Sequence, residues 1–277
     1  MSPIDLSIVE KIAGDAGIEI LKIYNGSSEL EVITKADNSP LTLADKKANE
    51  VIVAGLQQHY PDVPIISEEA EIVDYDVRSC WQRYWLVDPL DGTKEFIGRN
   101  GEFTVNIALI EKGEPVLGVV HVPVQGVTYS GGVGFDPIKA SKDGVRQSLA
   151  CQPTNAQSTP IRVVASRHHR GERLEQLLQQ IAESLGSADV VSMGSSLKMC
   201  LLAEGKADFY PRMGPTSEWD TAAAHAVLLS SGGQIVDLNF APLRYNQKPE
   251  LLNPEFLAIA DSSFDWQSIV SDAAINR

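Results

Sequence analysis

The 277-residue sequence has few cysteines, and it contains no long apolar run. Its three cysteines (Cys80, Cys151 and Cys200) are odd in number and widely spaced. This excludes a disulfide framework or a cysteine-based metal site, and it predicts reduced thiols that serve in packing. No stretch approaches the roughly 18 consecutive apolar residues of a membrane-spanning helix. We therefore expect a soluble protein with no transmembrane segment.

Basic residues are scarce as well. Lys and Arg number 23 against 37 Asp and Glu, which gives a formal net charge of −14. Because a nucleic acid polymer is bound through neutralisation of its phosphates by Lys and Arg, this balance argues against such a partner. A small polyanionic substrate remains possible if metal ions or local basic residues offset the negative electrostatic potential of the chain. The first residues show no export signal, so we expect a cytoplasmic protein. Peripheral association with the cytoplasmic face of the inner membrane and the oligomeric state stay open.

The sequence divides into two patterns of secondary structure. A helix is predicted over 3–24, and a capping box at Thr42–Asp45 predicts a second one that Pro61 ends. Short β-branched runs follow at 63–67, 84–87, 103–110, 115–122 and 126–132, which indicates a largely antiparallel sheet. From about residue 160, strands alternate with helices over 170–185, over 195–204 and from Asp220. The polar segment 151–160 predicts a seam between an α+β subdomain (1–155) and an α/β subdomain (156–277), and it also fits a loop inside one compact body.

An acid-rich turn lies in WLVDPLDGTKEF (85–96). Asp88 follows apolar residues and precedes a proline, so we expect the strand to stop there and the carboxylate to project from its end. Gly92 and Thr93 could open a short helix whose free N–H groups hold a phosphate. Carboxylates beside such a site need cations, and hard oxygen ligands suit Mg²⁺ or Mn²⁺, two of which one carboxylate can bridge. Read alone, Asp88 and Asp91 could instead form an Asx-type turn.

Other acidic residues stand at the ends of predicted elements. Glu68 and Glu69 end an apolar strand, Asp220 stands at the start of a helix, and Asp45 is the third helical residue of the capping box. Each has a purely structural alternative. The glutamates could be a solvated strand end, Asp220 could be an N-cap, and Asp45 could serve only to start its helix.

Taken together, these stretches resemble a known family. DPLDGT (88–93) and WDTAA (219–223) occur in the order and separation of the signatures of the inositol monophosphatase family, which consists of lithium-sensitive metal-dependent phosphatases. The Glu-Glu pair and the Thr-x-Ala-Asp helix start extend the resemblance over nearly the whole chain. It implies a layered αβαβα sandwich of the sugar-phosphatase type. DGTKEF followed by RNGEFTVNIALI is similar to the 3′(2′),5′-bisphosphate nucleotidase branch, whereas inositol phosphatases usually carry DGTTNF.

The resemblance implies roles for individual residues. Two to three Mg²⁺ ions would be held by Glu68, Asp88 and the Leu90 carbonyl at one position, by Asp88, Asp91 and Asp220 at a second, and by Glu68 and water at a weaker third. Asp45 and Thr93 would orient and deprotonate the water that attacks phosphorus in line, without a covalent phosphoenzyme.

The substrate contacts implied by the resemblance lie mostly in the second half of the chain, at Ser166, His169, Gly194, Lys198 and Arg212. Glu68, Leu90, Asp91, Gly92, Thr93 and Asp220 would contact the substrate too. His168 departs from the family pattern Ser/Thr-Arg-Ser-His, which leaves the contacts around it less defined. The structural alternatives are a solvated basic helix start at 166–170 and a surface lysine at Lys198.

The function implied is hydrolysis of the 3′-phosphate of adenosine 3′,5′-bisphosphate to AMP, with phosphoadenylyl sulfate as a second substrate, in sulfur metabolism. The alternatives are an inositol phosphatase or a fructose bisphosphate phosphatase of the same family. A more distant alternative is a non-catalytic metal or phosphate sensor.

Overall fold

The computed structural model describes residues 3–26, 32–34, 40–155, 160–165 and 171–270. The helices in these ranges are α1 (Leu6–Tyr24), α2 (Leu43–His59), α3 (Tyr75–Arg78), α4 (Thr93–Ile97), α5 (Glu172–Leu185), α6 (Leu197–Ala203), α7 (Glu218–Ser230) and α8 (Trp266–Ile269). None of these described helices has the length and apolar character needed to cross a membrane.

The strands of the described residues form three sheets. In chain order, the first seven described strands are β1 (Val32–Thr34), β2 (Pro40–Thr42), β3 (Ile65–Ser67), β4 (Arg83–Asp91), β5 (Thr104–Glu111), β6 (Glu114–Val122) and β7 (Val127–Gly132). They are followed by β8 (Phe135–Ala140), β9 (Arg146–Ser148), β10 (Ile161–Ala165), β11 (Ala188–Ser192), β12 (Phe209–Arg212), β13 (Gln234–Asp237) and β14 (Phe256–Ile259). Strands β1 and β2 pair as a small antiparallel ribbon, β3 to β9 form a seven-stranded sheet in chain order, and the other five form a sheet in the order β11-β10-β12-β14-β13.

The seven-stranded sheet is antiparallel except for the parallel pair β3–β4, as the run of short β-branched segments predicts. In the other sheet β10 pairs in parallel with β11 and β12, whereas β14 runs antiparallel between β12 and β13. The prediction of strands alternating with helices after residue 160 is therefore correct up to β13 but does not include β14. Strands β8 and β9 were not predicted either.

Helices and sheets alternate in five layers. Helices α1 and α2 cover one face of the seven-stranded sheet, where Ile12, Ile20 and Ile52 pack with Trp85 and Ile107. Helices α6 and α7 fill the space between the two sheets, and α5 and α8 cover the outer face of the five-stranded sheet. The αβαβα prediction is confirmed. A boundary between subdomains at 155/156 stays a prediction.

The first two helices follow from local sequence signals. Helix α1 buries residues spaced three or four apart, and Asp5 caps it by accepting from the Ser7 N–H at 2.9 Å. Helix α2 begins with the predicted capping box between Thr42 and Asp45. The helix predicted over 3–24 is confirmed, although it begins three residues later than expected. Its apolar stripe packs against both α2 and the sheet.

Strand β4 does not stop at Asp88, which corrects the prediction. It continues to Asp91 through a register shift, because Asp88 pairs with Asn106 and Asp91 pairs with Thr104. Three steps on β4 thus match two on β5, which is a one-residue bulge. Proline has no N–H to donate, and a bulge is a place where a sheet can accommodate that loss.

Helix α7 lies very close to the middle of the seven-stranded sheet. A Cβ atom at Gly118 on β6 would lie 2.0 Å from the carbonyl oxygen of Ala223, so only glycine permits this approach. The three cysteines are free, with Cys200 buried and Cys151 partly buried. Cys80 is exposed, so the prediction that all three serve in packing is wrong for this residue.

Candidate active site

Three predicted metal ligands converge at one point between the sheets. One carboxylate oxygen each from Asp88, Asp91 and Asp220 lies within 4.8 Å of the other two. Asp88 and Asp91 come from the bulged end of β4, and Asp220 comes from the first turn of α7. Asp88 is only 1% exposed. Asp91 and Asp220 are half-buried. Residues far apart in the sequence thus form one acidic cluster, which we call the carboxylate cluster.

The bulge of β4 orients Asp88 through a local hydrogen bond. The backbone N–H of Leu90 donates to Asp88 Oδ1 at 3.0 Å, which is an Asx-type turn. The Asx-type turn that the sequence allows as a structural alternative is therefore formed, and the acids converge as well. It leaves the second oxygen of Asp88 for other partners.

Helix α7 begins one turn earlier than the N-cap alternative for Asp220 requires. Its N-cap is Ser217, and Asp220 is the third helical residue. Asp220 Oδ2 accepts from the Ser217 N–H at 2.9 Å, so the two residues form a capping box. The N-cap alternative for Asp220 is therefore wrong. Asp220 occupies the same position in α7 that Asp45 occupies in α2.

Asp45 and Thr93 face each other, although 48 residues separate them. The N–H and hydroxyl of Thr42 donate to Asp45 Oδ2 at 2.8 and 2.5 Å, and the Thr93 hydroxyl donates to Asp45 Oδ1 at 3.5 Å. Asp45 is 1% exposed. One of its oxygens thus accepts from the helix start while the other faces Thr93, so the structural alternative does not account for every contact of this carboxylate.

Glu68 lies beside Asp88 just after β3 ends at Ser67, as predicted. The two side chains share a hydrogen bond, and the charge of Glu68 helps to raise the pKa of Asp88. Its backbone N–H donates to the Val87 carbonyl at 3.1 Å, which continues the β3–β4 pairing. Glu68 therefore borders the carboxylate cluster rather than solvent alone.

The cluster carries more negative charge than its surroundings balance. Burial raises the pKa of Asp88 well above its usual value, and the carboxylates of Glu68, Asp91 and Asp220 raise it further. Burial also raises the pKa of Asp91 to about 6, although Lys198 opposes the shift. Burial and the charge of Asp91 likewise raise the pKa of Asp220. Packed carboxylates of this kind repel one another unless a cation joins them.

These residues fit divalent cations. Converging carboxylate oxygens are the ligands that hard cations prefer, and positive charge at this point would restore the ionised state that the raised pKa values disfavour. Leu90, whose carbonyl is a predicted ligand, is 1% exposed and lies within the same bulge. The site can therefore hold a metal ion through oxygen ligands.

A polar network that was not predicted positions Asp91. The Ser196 N–H donates to Asp91 Oδ2 at 2.5 Å, and the Asn106 amide lies 3.5 Å from the same oxygen. The Ser196 hydroxyl donates to Asn106 Oδ1 at 2.9 Å and lies 2.9 Å from the hydroxyl of Thr104. Thr104 and Asn106 are the two polar residues of the otherwise apolar run FTVNIALI, and their spacing of two, which places both side chains on one face of the strand, is the signal that could have identified them.

A cavity of about 140 Å³ adjoins the cluster. Among its lining residues are Asp91, Asp220, Lys198, Arg212 and Glu95. Lys198 is 7% exposed, so the surface-lysine alternative is wrong. It is the second residue of α6, within the first turn, and its Nζ donates to the Ser195 carbonyl at 2.6 Å. Burial lowers the pKa of Lys198 to about 8, although Asp91 favours its charged form.

Arg212 also lines this cavity. Its guanidinium donates to the carbonyls of Gly214 and Pro215 at 3.1 and 2.8 Å, and its charge lowers the pKa of Asp220 against the effect of burial. Lys94 also lines the cavity, whereas Phe96 is fully buried in the core. The KEF segment thus contributes to the site through its first two residues.

Two predicted glycines shape the approach to the cluster. Gly92 has φ +94° immediately before α4, a conformation that favours glycine, and it lines the cavity. The N–H of Gly194 donates to Glu102 Oε2 at 2.8 Å, and a Cβ there would lie 2.9 Å from the Glu95 side chain. Gly194 therefore permits close packing of the α6 turn against α4. Ser166 and His169 lie outside the described residues.

Comparison with known proteins agrees with this geometry. A sequence model of the inositol monophosphatase family matches residues 5–263. The chain is 50% identical to the 3′(2′),5′-bisphosphate nucleotidase CysQ of Escherichia coli K12 over 253 residues, which are 91% of this chain and 98% of that protein. It is 38% identical to CysQ of Haemophilus influenzae over 264 residues, with 95% and 96% covered.

A solved structure gives the same result. CysQ of Bacteroides thetaiotaomicron, described as a bacterial member of the inositol monophosphatase family, superposes with a TM-score of 0.81 at 41% identity and covers 93% of this chain and 97% of its own. The predicted resemblance is therefore confirmed at the level of both sequence and fold. The chain belongs to the inositol monophosphatase family.

Proposed function

We propose that this protein is a 3′(2′),5′-bisphosphate nucleotidase that hydrolyses the 3′-phosphate of adenosine 3′,5′-bisphosphate to AMP and phosphate, in sulfur metabolism. Phosphoadenylyl sulfate is the second substrate in this proposal. The observation that carries it is the carboxylate cluster next to the buried Lys198, within a chain whose relatives at 38–50% identity are named 3′(2′),5′-bisphosphate nucleotidase.

The cluster is proposed as the metal site. Glu68, Asp88 and the Leu90 carbonyl would hold one Mg²⁺, Asp88, Asp91 and Asp220 a second, and Glu68 and water a weaker third. When bound, such ions lower the pKa of water and neutralise charge on the transferring phosphoryl group. The role of the protein is to hold the carboxylates together at one point, where the positive charge of the ions would restore their ionised state.

Asp45 and Thr93 are proposed to act on the attacking water. The Thr93 hydroxyl donates to Asp45 Oδ1, so its lone pairs face away and can accept a hydrogen bond from water. A proton leaving that water passes to the Thr93 oxygen while the Thr93 proton moves to Asp45. The water oxygen then bonds to phosphorus as the bond to the 3′-oxygen breaks, and the departing oxygen takes up a proton from solvent water. The separation of 3.5 Å is long, as is common before substrate is bound.

Lys198 and Arg212 are proposed to bind the phosphate that is not hydrolysed. Both line the cavity that Asp91 and Asp220 also line, which places positive charge within one site of the carboxylates. In a chain of net charge −14, these two basic side chains, in a cavity that Lys94 also lines, are suited to a second phosphate. Gly92, Gly194, Ser166 and His169 are proposed as further substrate contacts.

The direct test measures phosphate release from adenosine 3′,5′-bisphosphate, an inositol monophosphate and fructose bisphosphate under identical conditions with Mg²⁺ and with EDTA. We expect the nucleotide to be hydrolysed fastest and only with Mg²⁺. Faster hydrolysis of either sugar phosphate would instead identify the protein as that phosphatase, and no turnover of any of them would favour a sensor.

Variants separate chemistry from binding. Asp45→Asn should lower kcat by about 10²–10⁴-fold, the usual contribution of general acid–base catalysis. Lys198→Met should raise KM for the bisphosphate more than for a nucleoside 3′-monophosphate, because only the former has a second phosphate. Equal effects on both substrates would contradict the role of Lys198.

A further inference from the structure

The turn before α6 contains a residue in an uncommon backbone conformation. In the part of the chain that the structure describes, positive φ angles occur at five residues other than glycine, namely Arg99, Lys112, Ser195, Phe240 and Asn246. Of these five, Ser195, with φ 47°, is the one that lines the cavity beside the carboxylate cluster. The left-handed conformation is costly for a residue with a side chain, and it persists where the surrounding structure holds it in place.

The peptide group between Ser195 and Ser196 makes two hydrogen bonds within the candidate active site. Its N–H donates to Asp91 Oδ2 at 2.5 Å, and its carbonyl accepts from Lys198 Nζ at 2.6 Å. Asp91 is a proposed metal ligand, and Lys198 is proposed to bind the phosphate that is not hydrolysed. A single peptide plane therefore contacts both the metal site and the phosphate site.

Both hydrogen bonds depend on the direction of this peptide plane. The N–H and the carbonyl of one peptide group point in opposite directions and rotate together, because the peptide bond is planar. A return of Ser195 to a right-handed or extended conformation would rotate the plane. The N–H would then leave Asp91 at the same time as the carbonyl leaves Lys198.

The residues on either side of Ser195 are fixed by separate contacts. The Gly194 N–H donates to Glu102 Oε2 at 2.8 Å, and a Cβ at Gly194 would lie 3.0 Å from the Glu102 carbonyl oxygen. The Ser196 hydroxyl donates to Asn106 Oδ1 at 2.9 Å, and Ser196 is 1% exposed. Ser195 thus has to close the turn between two anchored neighbours, which explains how its strained conformation is maintained.

The side chain of Ser195 offers a weaker explanation for the residue. Its hydroxyl accepts from the Leu197 N–H at 3.4 Å, which is long for a hydrogen bond. The backbone of Ser195, in contrast, is part of a peptide group with two short hydrogen bonds to charged side chains. The contribution of this position to the site therefore lies in its backbone.

We propose that Ser195 is a positioning residue, whose left-handed backbone aligns one peptide group against Asp91 and Lys198 and thereby sets the affinities for Mg²⁺ and for the second phosphate together. This inference rests on the proposed function, from which it takes the metal site and the phosphate site. With its Oδ2 held by the peptide N–H, Asp91 directs Oδ1 toward the cluster. Loss of a hydrogen-bond partner of a metal ligand typically lowers metal affinity by about 10–100-fold.

Two substitutions of similar size separate backbone conformation from crowding. Ser195→Asn introduces a residue that tolerates the left-handed region, whereas Ser195→Val introduces a β-branched residue that does not. Ser195→Gly removes the side chain, including its hydroxyl, and permits the same conformation. Calorimetric titration of each metal-free variant with MgCl₂, without nucleotide, measures the Kd for Mg²⁺. We expect Ser195→Asn and Ser195→Gly to stay within about two-fold of the parent, and Ser195→Val to bind about ten-fold more weakly.

Hydrolysis kinetics at saturating Mg²⁺ test the contact with Lys198. Because the rotated peptide no longer accepts from Lys198, Ser195→Val should raise KM for adenosine 3′,5′-bisphosphate several-fold. The KM for adenosine 3′-monophosphate, which lacks the second phosphate, should change less. Ser195→Asn should keep the ratio of the two KM values at that of the parent.

Lys112→Val is the matched control for backbone strain. Lys112 has a φ of 52° and is exposed in the turn between β5 and β6, and it is absent from the lining of the active-site cavity. Lys112→Val should lower the free energy of unfolding in urea, as Ser195→Val does, but leave the Kd for Mg²⁺ and both KM values at those of the parent. If Ser195→Val does not fold by circular dichroism, Ser195→Leu, which is unbranched at Cβ, takes its place and should weaken Mg²⁺ binding several-fold.

The proposal is overturned if Ser195→Asn and Ser195→Val bind Mg²⁺ with the same affinity, because crowding or no role at all would then account for the residue. It is equally overturned if Ser195→Gly binds Mg²⁺ as weakly as Ser195→Val, or if Ser195→Val raises both KM values equally. The titration with MgCl₂ requires no turnover. A parent protein that binds Mg²⁺ but does not hydrolyse the nucleotide would contradict the proposed function, and the pattern of Mg²⁺ affinities would still test the role of Ser195.

Discussion

Replacing Asp91 with asparagine should reverse the effect of Mg²⁺ on stability. In the metal-free protein, burial and neighbouring acids raise the pKa of Asp91 from 3.8 to about 6, despite the favourable charge of Lys198. At pH 7 the carboxylate is nevertheless ionised in both the folded and the unfolded states. Each pKa unit corresponds to about 1.36 kcal/mol, so the ionised side chain destabilises the native state by about 3 kcal/mol.

Asparagine resembles the protonated acid and can still accept the Ser196 N–H through its side-chain oxygen. In EDTA, Asp91→Asn should therefore be more stable than the parent, with about 3 kcal/mol as the upper limit. With Mg²⁺ the order should reverse, because a ligand at a hundred times its Kd stabilises the parent by about 2.7 kcal/mol and the variant loses a carboxylate ligand.

Urea unfolding at pH 7, followed by circular dichroism with and without Mg²⁺, measures both differences. Asp261→Asn is a suitable control. Burial raises the pKa of Asp261, but hydrogen bonds from Ser263 and Thr154 outweigh that and lower it, so its replacement should reduce stability in both buffers. If Asp91→Asn is as stable as the parent or less stable in EDTA, burial and the neighbouring acids do not destabilise the ionised Asp91 carboxylate as argued.

Three further outcomes follow from the structure. Thr93→Ala should lower kcat by about 10²-fold or more while Mg²⁺ binding measured by calorimetry is unchanged, and an unchanged kcat would refute its role with the attacking water. Gly118→Ala should lower the free energy of unfolding by roughly 3 kcal/mol or prevent folding, because its Cβ would lie 2.0 Å from the carbonyl oxygen of Ala223. Gly14 lies on open helical surface, so Gly14→Ala should instead raise the free energy of unfolding, measured in urea, by about 1 kcal/mol. Burial lowers the pKa of His225 from 6.5 in the unfolded chain to about 3 in the folded protein. Between these two values only the unfolded chain takes up the proton. The free energy of unfolding should therefore fall by about 2 kcal/mol as the pH is lowered from 6.5 to 5. His225→Gln should flatten that dependence, and an equal slope in both proteins would contradict it.

Local signals in the sequence predict much of this molecule. The spacing of apolar residues in α1 and the capping box of α2 can each be recognised from a short stretch of sequence. The turn around Asp88 likewise places Asp88 and Asp91 on one bulge. What the sequence does not reveal is long-range pairing. Strand β14 lies between β12 and β13, and nothing local in its four residues indicates partners so far away.

The support of the cluster was hidden for the same reason. Ser196 and Asn106 contact Asp91 from positions 105 and 15 residues away in the sequence, and a single buried asparagine in an apolar strand does not show which residue it meets. The continuation of β4 beyond Asp88 was missed for another reason. The rule that proline ends a strand holds for regular ladders, whereas this strand contains a bulge that has no hydrogen bond for proline to break.

The two capping boxes connect folding and chemistry in one side chain. Asp45 and Asp220 each use an oxygen to begin a helix and belong to the candidate site as well. A protein engineer who wished to strengthen these helix starts would choose glutamate, the preferred residue at this position. The longer side chain would displace the carboxylate from Thr93 in one case and from the cluster in the other. Gains in thermal stability at these two positions would therefore come at the expense of turnover, and sequence changes that look like improvements of a helix would behave as inactivating mutations.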